Sequence, residues 1–134
     1  LEYIDCFATD HAPHTLAEKE SPTPPPGFPG LETALPLLLT AVDDARLAID
    51  DITRRFHDNP RRIFNIPNQP DTYIEVDPEI KWKTAAAGML SKCGWTPFEG
   101  RQMTGKVDLV VLRGQKVYQQ GRILAKPGYG HNLF

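Results

Sequence analysis

The amino-acid sequence predicts an α/β fold followed by a small antiparallel β unit. Residues 3–8 are a short, mostly apolar run of β-forming residues, which is typical of a buried strand in a parallel sheet. Residues 31–42 have helical periodicity, and a strand that feeds a helix is the repeating unit of α/β folds. The last third of the chain contains short strand patterns separated by turn residues.

Composition and charge argue against several classes of protein. The chain has 134 residues, enough for one modest domain, and its net charge of −2 gives no electrostatic reason to expect nucleic acid or an anionic membrane as partner. No apolar stretch approaches the roughly 20 residues that span a bilayer. Two cysteines, Cys6 and Cys93, are too few for a disulfide framework and fit a reducing compartment. We therefore expect a soluble protein of the cytoplasm.

Two helical regions are predicted. The first is an amphipathic helix with one wide apolar stripe, and Pro36 within it would be tolerated only near the first turn. A second helix would begin with Asp50 or Asp51 as its N-cap. The dipeptide Asn59-Pro60 then predicts a stop and a restart, because proline suits the first position of a helix. The stripe of the first helix consists of Leu31, Ala34, Leu35, Leu38, Leu39 and Val42.

The chain changes character after Pro67. Residues 73–77 alternate between apolar and polar side chains, as a half-buried strand does. Two turn signals, Arg113-Gly114 and Gln120-Gly121, separate three further short strands. We therefore expect residues 1–66 to form one unit and residues 67–134 to form a C-terminal β-subdomain and tail. The further strands are predicted at residues 107–112, 116–118 and 122–124.

A single strand–helix unit cannot bury both faces of a parallel sheet. Either other chains supply the remaining strands, or these residues are the end of a larger protein. The sequence begins two residues before the predicted strand, which favours the second alternative. We expect the chain to be one part of a larger α/β structure.

The predicted first strand ends in a cluster of chemistry-bearing residues, Asp10-His-Ala-Pro-His14. Three interpretations are open on the residues alone. His11 and His14 could form a zinc pair on a helix, although Pro13 disfavours helical structure in the residue before it. Asp10 could cap a turn, with both histidines partly buried or exposed. Alternatively, Asp10 could point into the mouth of a (β/α)8 barrel, where catalytic groups of that fold lie at the carboxyl ends of strands.

The stretch FATDHAPHTLAEKESPTPPPGFPGLETALPLLLTAV resembles the end of the catalytic barrel of dihydroorotases, which belong to the amidohydrolase superfamily. The resemblance is strongest to the dihydroorotase domain of multifunctional proteins that also carry carbamoyl-phosphate synthetase and aspartate transcarbamylase. HDNPRRIFNI and WTPFEGRQMTGKVDLVVLRGQKVYQQGRIL are similar to later segments of the same family. The resemblance therefore implies the C-terminal fragment of a (β/α)8 metal-dependent hydrolase barrel, with part of a small β-sandwich subdomain.

The family resemblance also implies an activity and a set of site residues. Dihydroorotases interconvert N-carbamoyl-L-aspartate and (S)-dihydroorotate in de novo pyrimidine biosynthesis, with a two-zinc centre that activates a hydroxide. By correspondence with the family motif, Asp10 would be a metal ligand and would move the proton. His14 would bind the substrate, and Pro26 and Gly27 would contribute backbone groups to it. His11 would have no catalytic function and would make a structural hydrogen bond.

Most of the family's metal ligands are absent from this sequence. The His-x-His pair, the carboxylated lysine and two further histidines are missing, so Asp10 would supply one of about six metal-contacting groups. We therefore expect these 134 residues to be inactive alone and to need the remainder of the barrel. The resemblance further implies a homo-oligomer formed through fused or neighbouring domains. A non-catalytic assembly module and another cyclic amidohydrolase, such as a dihydropyrimidinase or allantoinase, remain alternatives.

Overall fold

The computed structural model describes residues 3–133. These residues form four helices and four strands, with a π-helical turn between the third and fourth helices and a 3-10 turn after the first strand. The helices are α1 (Leu16–Lys19), α2 (Leu31–Asp43), α3 (Ile49–Thr53) and α4 (Asn59–Ile63), and the strands are β1 (Tyr73–Lys83), β2 (Gln102–Leu112), β3 (Gln115–Gln119) and β4 (Arg122–Ile123). No helix within this range is long and apolar enough to cross a bilayer.

The four strands form one antiparallel meander in the order β1-β2-β3-β4, which confirms the predicted β unit. The two predicted turns join β2 to β3 and β3 to β4. Each has positive φ at both central residues: 49° and 75° at Arg113-Gly114, and 48° and 84° at Gln120-Gly121. These are the dihedral signs of type I′ turns, whose twist matches that of the flanking strands. Strands β1 and β2 are longer than predicted, and the pairing between them shifts across residues 77–81.

Helix α2 packs on β2 with one edge of the apolar stripe that the sequence predicted, at Leu39. The side chains that it buries are Thr33, Pro36 and Leu39. Leu39 lies so close to β2 that a Cβ on Gly105 would approach its Cδ1 to 2.5 Å. Of the predicted stripe only Leu39 is buried, and Leu31 remains 64% exposed. Helix α2 therefore buries only one edge of the predicted stripe, and the described residues leave the rest of that stripe partly uncovered.

The predicted restart at Asn59-Pro60 is present, with Pro60 in the first turn of α4, but the predicted stop before it is absent. Helix α3 leads through the π-helical turn Arg54–Asp58 directly into α4, which contains Pro60. Proline has no N–H, and its ring collides with the carbonyl four residues earlier in a regular α-helix. A wider turn relieves that collision, and the Asn59 N–H bonds the Arg54 carbonyl five residues back. The second helix also begins before the predicted caps, at Ile49.

The predicted strand over residues 3–8 is absent, because the described residues offer it no neighbouring strand. The segment runs extended beside the π-helical turn instead. Arg55 Nε donates to the Ile4 carbonyl at 2.9 Å, and Asn59 Nδ2 donates to the Asp5 carbonyl at 2.7 Å. The Phe7 N–H donates to the Arg55 carbonyl at 3.2 Å. Backbone groups that a parallel sheet would satisfy are therefore satisfied in part by the helix that follows.

Candidate functional site

Asp10 lies at the end of this extended segment with its side chain exposed. Its φ is +45°, in the left-handed region that residues other than glycine rarely occupy, although aspartate tolerates it better than most. Within residues 3–133 its carboxylate makes no hydrogen bond or ion pair. An acid in an unusual backbone conformation with an unpartnered carboxylate is available to bind something outside these residues.

The stretch that follows Asp10 is joined to the proline-rich loop, residues 20–30. The Ala12 N–H donates to the Phe28 carbonyl at 3.1 Å, and His11 and Phe28 form an isolated parallel bridge. Gly27 has a φ of +95°, and a Cβ there would lie only 2.4 Å from the Ala12 Cβ. Only glycine fits this position without displacing the loop, because both the backbone conformation and the space exclude a side chain.

His11 makes structural hydrogen bonds, as expected. Its Nδ1 accepts from the N–H groups of Gly30 and Leu31, at 3.1 and 3.2 Å. Gly30 is the N-cap of α2 and has no side chain to cap the helix. The imidazole therefore satisfies the first helical N–H group from a distant part of the sequence. The structure does not join His11 and His14 in a helical pair, since the residues around Pro13 are not helical.

His14 is half-buried, and its backbone and side chain face different partners. Its N–H donates to the Ala12 carbonyl at 2.9 Å, which closes a tight turn around Pro13. Its carbonyl accepts from Trp95 Nε1 at 2.7 Å, so the loop before β2 holds this residue in place. Its Nδ1 lies 3.9 Å from Glu18 Oε2, beyond hydrogen-bond distance. The imidazole is therefore held loosely and remains available to a ligand.

Lys19 closes the proline-rich loop from the other side. Its Nζ donates to the carbonyls of Pro25 and Gly27, at 2.6 and 3.0 Å. Helix α1 carries Lys19 and begins with a capping box, in which Thr15 and Glu18 bond each other's backbone N–H groups. Hydrogen bonds from the backbone and then the side chain of Thr15 hold the pKa of Glu18 below its usual range. Pro26, between the two carbonyls that Lys19 holds, is exposed.

An apolar cavity of about 220 Å³ lies behind the site. Two edge-to-face aromatic pairs line it, Phe7 with Phe56 at 5.7 Å and Phe28 with Phe98 at 6.2 Å between ring centroids. Phe98 belongs to the segment before β2, so the β unit contributes to the support of the loop. Large aromatic side chains commonly dominate such interfaces, and here the Phe28–Phe98 pair joins the two parts of the chain.

The structure thus brings Gly27 and the Asp10–His14 stretch together, with Pro26 exposed beside them. No group of three or more histidine, cysteine, aspartate or glutamate side chains within residues 3–133 is arranged to hold a metal ion. Sequence reasoning missed Lys19 and Trp95 as contributors to the site. Neither carries a local signal, because each acts on a backbone carbonyl that folding alone brings within reach.

No family model matches the chain, but several known proteins do. The multifunctional protein pyr1-3 of Dictyostelium discoideum is 59% identical over 133 residues, which cover 99% of this chain and 6% of that protein. The multifunctional protein CAD of Squalus acanthias is 55% identical over 133 residues, with the same coverage of both chains, 99% and 6%. A dihydroorotase of Pyrococcus furiosus is 38% identical over 133 residues, which cover 95% of this chain and 32% of that enzyme.

Solved structures agree with these relatives. The inactive dihydroorotase-like domain of a Chaetomium thermophilum CAD-like multifunctional protein has a TM-score of 0.76 and 32% identity, over 94% of this chain and 36% of that one. L-hydantoinase from Arthrobacter aurescens has a TM-score of 0.74 and 30% identity, over 78% of this chain and 25% of that one. The predicted fold class, part of a (β/α)8 amidohydrolase barrel with a β unit, is confirmed.

The chain spans about a third of the length of the archaeal dihydroorotase and 6% of each multifunctional protein. It matches these relatives over nearly all of its own length, at identities between 38 and 59%. By sequence and fold, the chain belongs to the dihydroorotase family and corresponds to one segment of its members.

Proposed function

We propose that this chain is the part of a cytoplasmic dihydroorotase that carries one metal-binding carboxylate and the substrate loop. In a longer polypeptide it would take part in the reversible cyclisation of N-carbamoyl-L-aspartate to (S)-dihydroorotate, a step of de novo pyrimidine biosynthesis. The observation that supports this most is the docking of the proline-rich loop on the stretch that begins with Asp10. We propose that residues 1–66 belong to the barrel, that residues 67–134 form the β-subdomain and tail, and that the whole protein is a homo-oligomer.

The described residues fit one ligand of a two-zinc centre and no more. Asp10 is an exposed carboxylate without an internal partner, and the other ligands must come from outside residues 3–133. When bound, the zinc ions would supply a water whose pKa is lowered to about 7, so that it is nucleophilic at neutral pH. The remaining work belongs to residues of this chain.

Asp10 would move the proton. Opening of the dihydroorotate ring breaks an amide C–N bond, and the departing nitrogen needs a proton as the bond breaks. A carboxylate at the site can accept a proton from the attacking water and deliver it to that nitrogen. His14 would orient the substrate by binding the substrate's carboxylate. The backbone of Pro26 and Gly27 would also contact the substrate. The glycine at position 27 permits that close approach of main chain to ligand.

The proposal is tested by assaying two proteins side by side. One is the chain extended to the length of its dihydroorotase relatives, and the other is the 134-residue chain alone with added zinc. We expect the longer protein to hydrolyse dihydroorotate and the 134-residue chain to show no zinc-dependent turnover. An inactive longer protein that binds zinc would contradict the proposed activity, and turnover by the short chain would contradict the division of the site.

His14 provides a finer test of the substrate contact. In the longer protein, His14→Ala should raise the KM for carbamoyl aspartate and leave bound zinc unchanged, because the imidazole would touch substrate rather than metal. His57→Ala is the matched control, since His57 is exposed and its Nδ1 lies 2.9 Å from the carboxylate of the neighbouring Asp58. An unchanged KM and kcat in His14→Ala would count against substrate binding by this residue.

Two other functions have an observation in their favour. The solved Chaetomium domain is described as inactive, so a non-catalytic assembly module is one alternative for this chain. Similarity to an L-hydantoinase makes another cyclic amidohydrolase the second. Zinc analysis of the longer protein and parallel assays with dihydroorotate, dihydrouracil and hydantoin separate the three functions. A metal-free protein without turnover supports the module, and preference for either of the last two substrates supports the second alternative.

A further inference from the structure

We infer that His11 is the positioning residue of the substrate loop, and that it works through Nδ1 as a hydrogen-bond acceptor. The inference rests on the proposed function, because it concerns the loop that would contact substrate. It goes beyond that function by assigning a task to a side chain that touches neither substrate nor metal. The supporting observations are the hydrogen bonds at Gly30 and Leu31 and the restricted space around Gly30.

The N-terminus of α2 lacks a capping side chain of its own. A helix usually begins with a serine, threonine, aspartate or asparagine, whose side chain accepts a hydrogen bond from a backbone N–H group of the first turn. Here the N-cap is Gly30, which is buried. A Cβ at this position would lie 3.2 Å from the Thr9 carbonyl oxygen and 3.5 Å from Phe28 Cε2. The crowding explains why no capping side chain stands at position 30, and His11 supplies the acceptor instead.

Hydrogen bonds hold the proline-rich loop from two sides. Lys19 holds its first half through the carbonyls of Pro25 and Gly27. Hydrogen bonds hold the end of the loop: the Ala12 N–H donates to the Phe28 carbonyl, and His11 Nδ1 accepts from the N–H groups of Gly30 and Leu31. Since His11 and Ala12 are adjacent, the stretch that begins with Asp10 and the end of the loop are fixed to each other. Loss of the Nδ1 acceptor would loosen Gly27 relative to Asp10 without removing either residue.

Substitution can separate the hydrogen-bond acceptor at Nδ1 from the bulk of the His11 imidazole. An asparagine side chain can place its Oδ1 near the position of Nδ1, whereas glutamine places its oxygen near Nε2, further from the backbone. His11→Asn should therefore keep the acceptor, and His11→Gln and His11→Ala should lose it. A residue that only fills space would show no such preference, because glutamine is closer in volume to histidine than asparagine is.

The experiment uses the longer protein of the proposed function, with His57→Asn and His57→Ala as matched controls. In His11→Ala and His11→Gln we expect the KM for dihydroorotate to rise about tenfold, as the loss of two hydrogen bonds predicts, with kcat within about twofold and zinc content unchanged. His11→Asn should stay within about twofold of the unsubstituted protein in KM. Hydrogen exchange of the peptide over residues 28–35 should quicken in the first two variants and not in His11→Asn.

The outcomes separate this inference from the function on which it rests. An unsubstituted protein without dihydroorotate turnover overturns both. An active protein in which His11→Ala leaves KM and hydrogen exchange unchanged overturns the inference alone. Faster exchange with an unchanged KM shows a helix cap that does not position the loop, which also overturns it. A loss of zinc or a fall in kcat alone would place His11 at the metal centre and contradict the inference.

Discussion

Gly27→Ala is the substitution that tests most sharply how the loop meets the stretch after Asp10. The new Cβ would lie 2.4 Å from the Ala12 Cβ, whereas carbon atoms in good contact stand about 3.5–4.0 Å apart. Holding alanine in a left-handed conformation costs about 1–2 kcal/mol, and overpacking costs a further ~1–3 kcal/mol. A closed loop would therefore carry a penalty of about 2–5 kcal/mol from these two sources.

The contacts that keep the loop closed are of similar strength. The Ala12 N–H bonds Phe28, and the Lys19 ammonium bonds Pro25 and Gly27, at about 0.5–1.5 kcal/mol each. The penalty therefore matches or exceeds the sum of these three contacts, and we expect the loop of Gly27→Ala to open rather than tolerate the strain. Opening of residues 25–28 limits the loss of stability to about 3 kcal/mol, at about 1 kcal/mol for each of these three contacts, since the hydrogen bonds of His11 to Gly30 and Leu31 are kept. The KM of the longer protein should rise at the same time.

Amide hydrogen exchange at Ala12 and urea denaturation of the 134-residue chain measure the two effects. Gly114→Ala is a control for backbone strain alone, because its φ is +75° and nothing lies within 4 Å of the added Cβ. Gly88→Ala is the baseline variant, because it introduces neither a clash nor backbone strain: nothing lies within 4 Å of its added Cβ, and its φ is not positive. The double variant Ala12→Gly/Gly27→Ala removes the clash and should recover most of the protection. A Gly27→Ala protein no less stable than Gly114→Ala, with protected Ala12, would refute this reasoning.

Three further predictions concern other contacts of the site and fold. Lys19→Met should quicken hydrogen exchange in residues 25–30 and raise the KM of the longer protein several-fold, whereas Lys92→Met on the exposed surface should do neither. Glu32→Ala should make residues 85–95 more sensitive to protease, because its carboxylate oxygens accept the N–H groups of Leu90 and Ser91, both at 2.8 Å; unchanged cleavage would contradict this. The pKa of Asp51 lies below its usual range because the Ala48 N–H, and then the nearby Arg55, favour its charged form. The stability that this provides is present above about pH 4, the ordinary aspartate pKa, and is lost as the pH falls through the lowered folded value. Asp51→Asn should therefore flatten the acid limb of the unfolding free energy measured against pH, and an unchanged limb would exclude the contribution.

The sequence predicted the β unit and its turns well, because their signals are local. Arg113-Gly114 and Gln120-Gly121 each contain the glycine that a two-residue turn with positive φ favours. The half-buried pattern expected over residues 73–77 was not found, because all of these residues except Val76 are exposed. The predicted strand over residues 3–8 is absent for a reason opposite to that of the turns. Its apolar run describes a parallel strand that needs neighbours, and the described residues provide none. The same holds for α2, where periodicity identified a face that the described residues leave partly open.

The sequence predicted the residues of the site but not the contacts that hold them in place. Asp10, His14 and Gly27 stand in a recognisable motif, and the motif alone led to them. Trp95 and Glu32 bond backbone groups far along the chain, and Lys19 bonds carbonyls six and eight residues away. Side chain to backbone contacts of this kind leave no pattern in a single sequence. The capping of α2 by His11 belongs to the same class. It becomes visible only when the crowding at Gly30 is seen together with the imidazole beside it.

Asp10→Asn in the longer protein tests the central claim most directly. Asparagine, like aspartate, tolerates the left-handed conformation found at position 10, so the backbone should be kept while the proton-accepting group is lost. We predict a fall in kcat for dihydroorotate hydrolysis of at least about a hundredfold, with the fold intact. A kcat within about twofold of the unsubstituted protein would mean that this carboxylate carries no proton in the reaction, and the proposed site would be wrong.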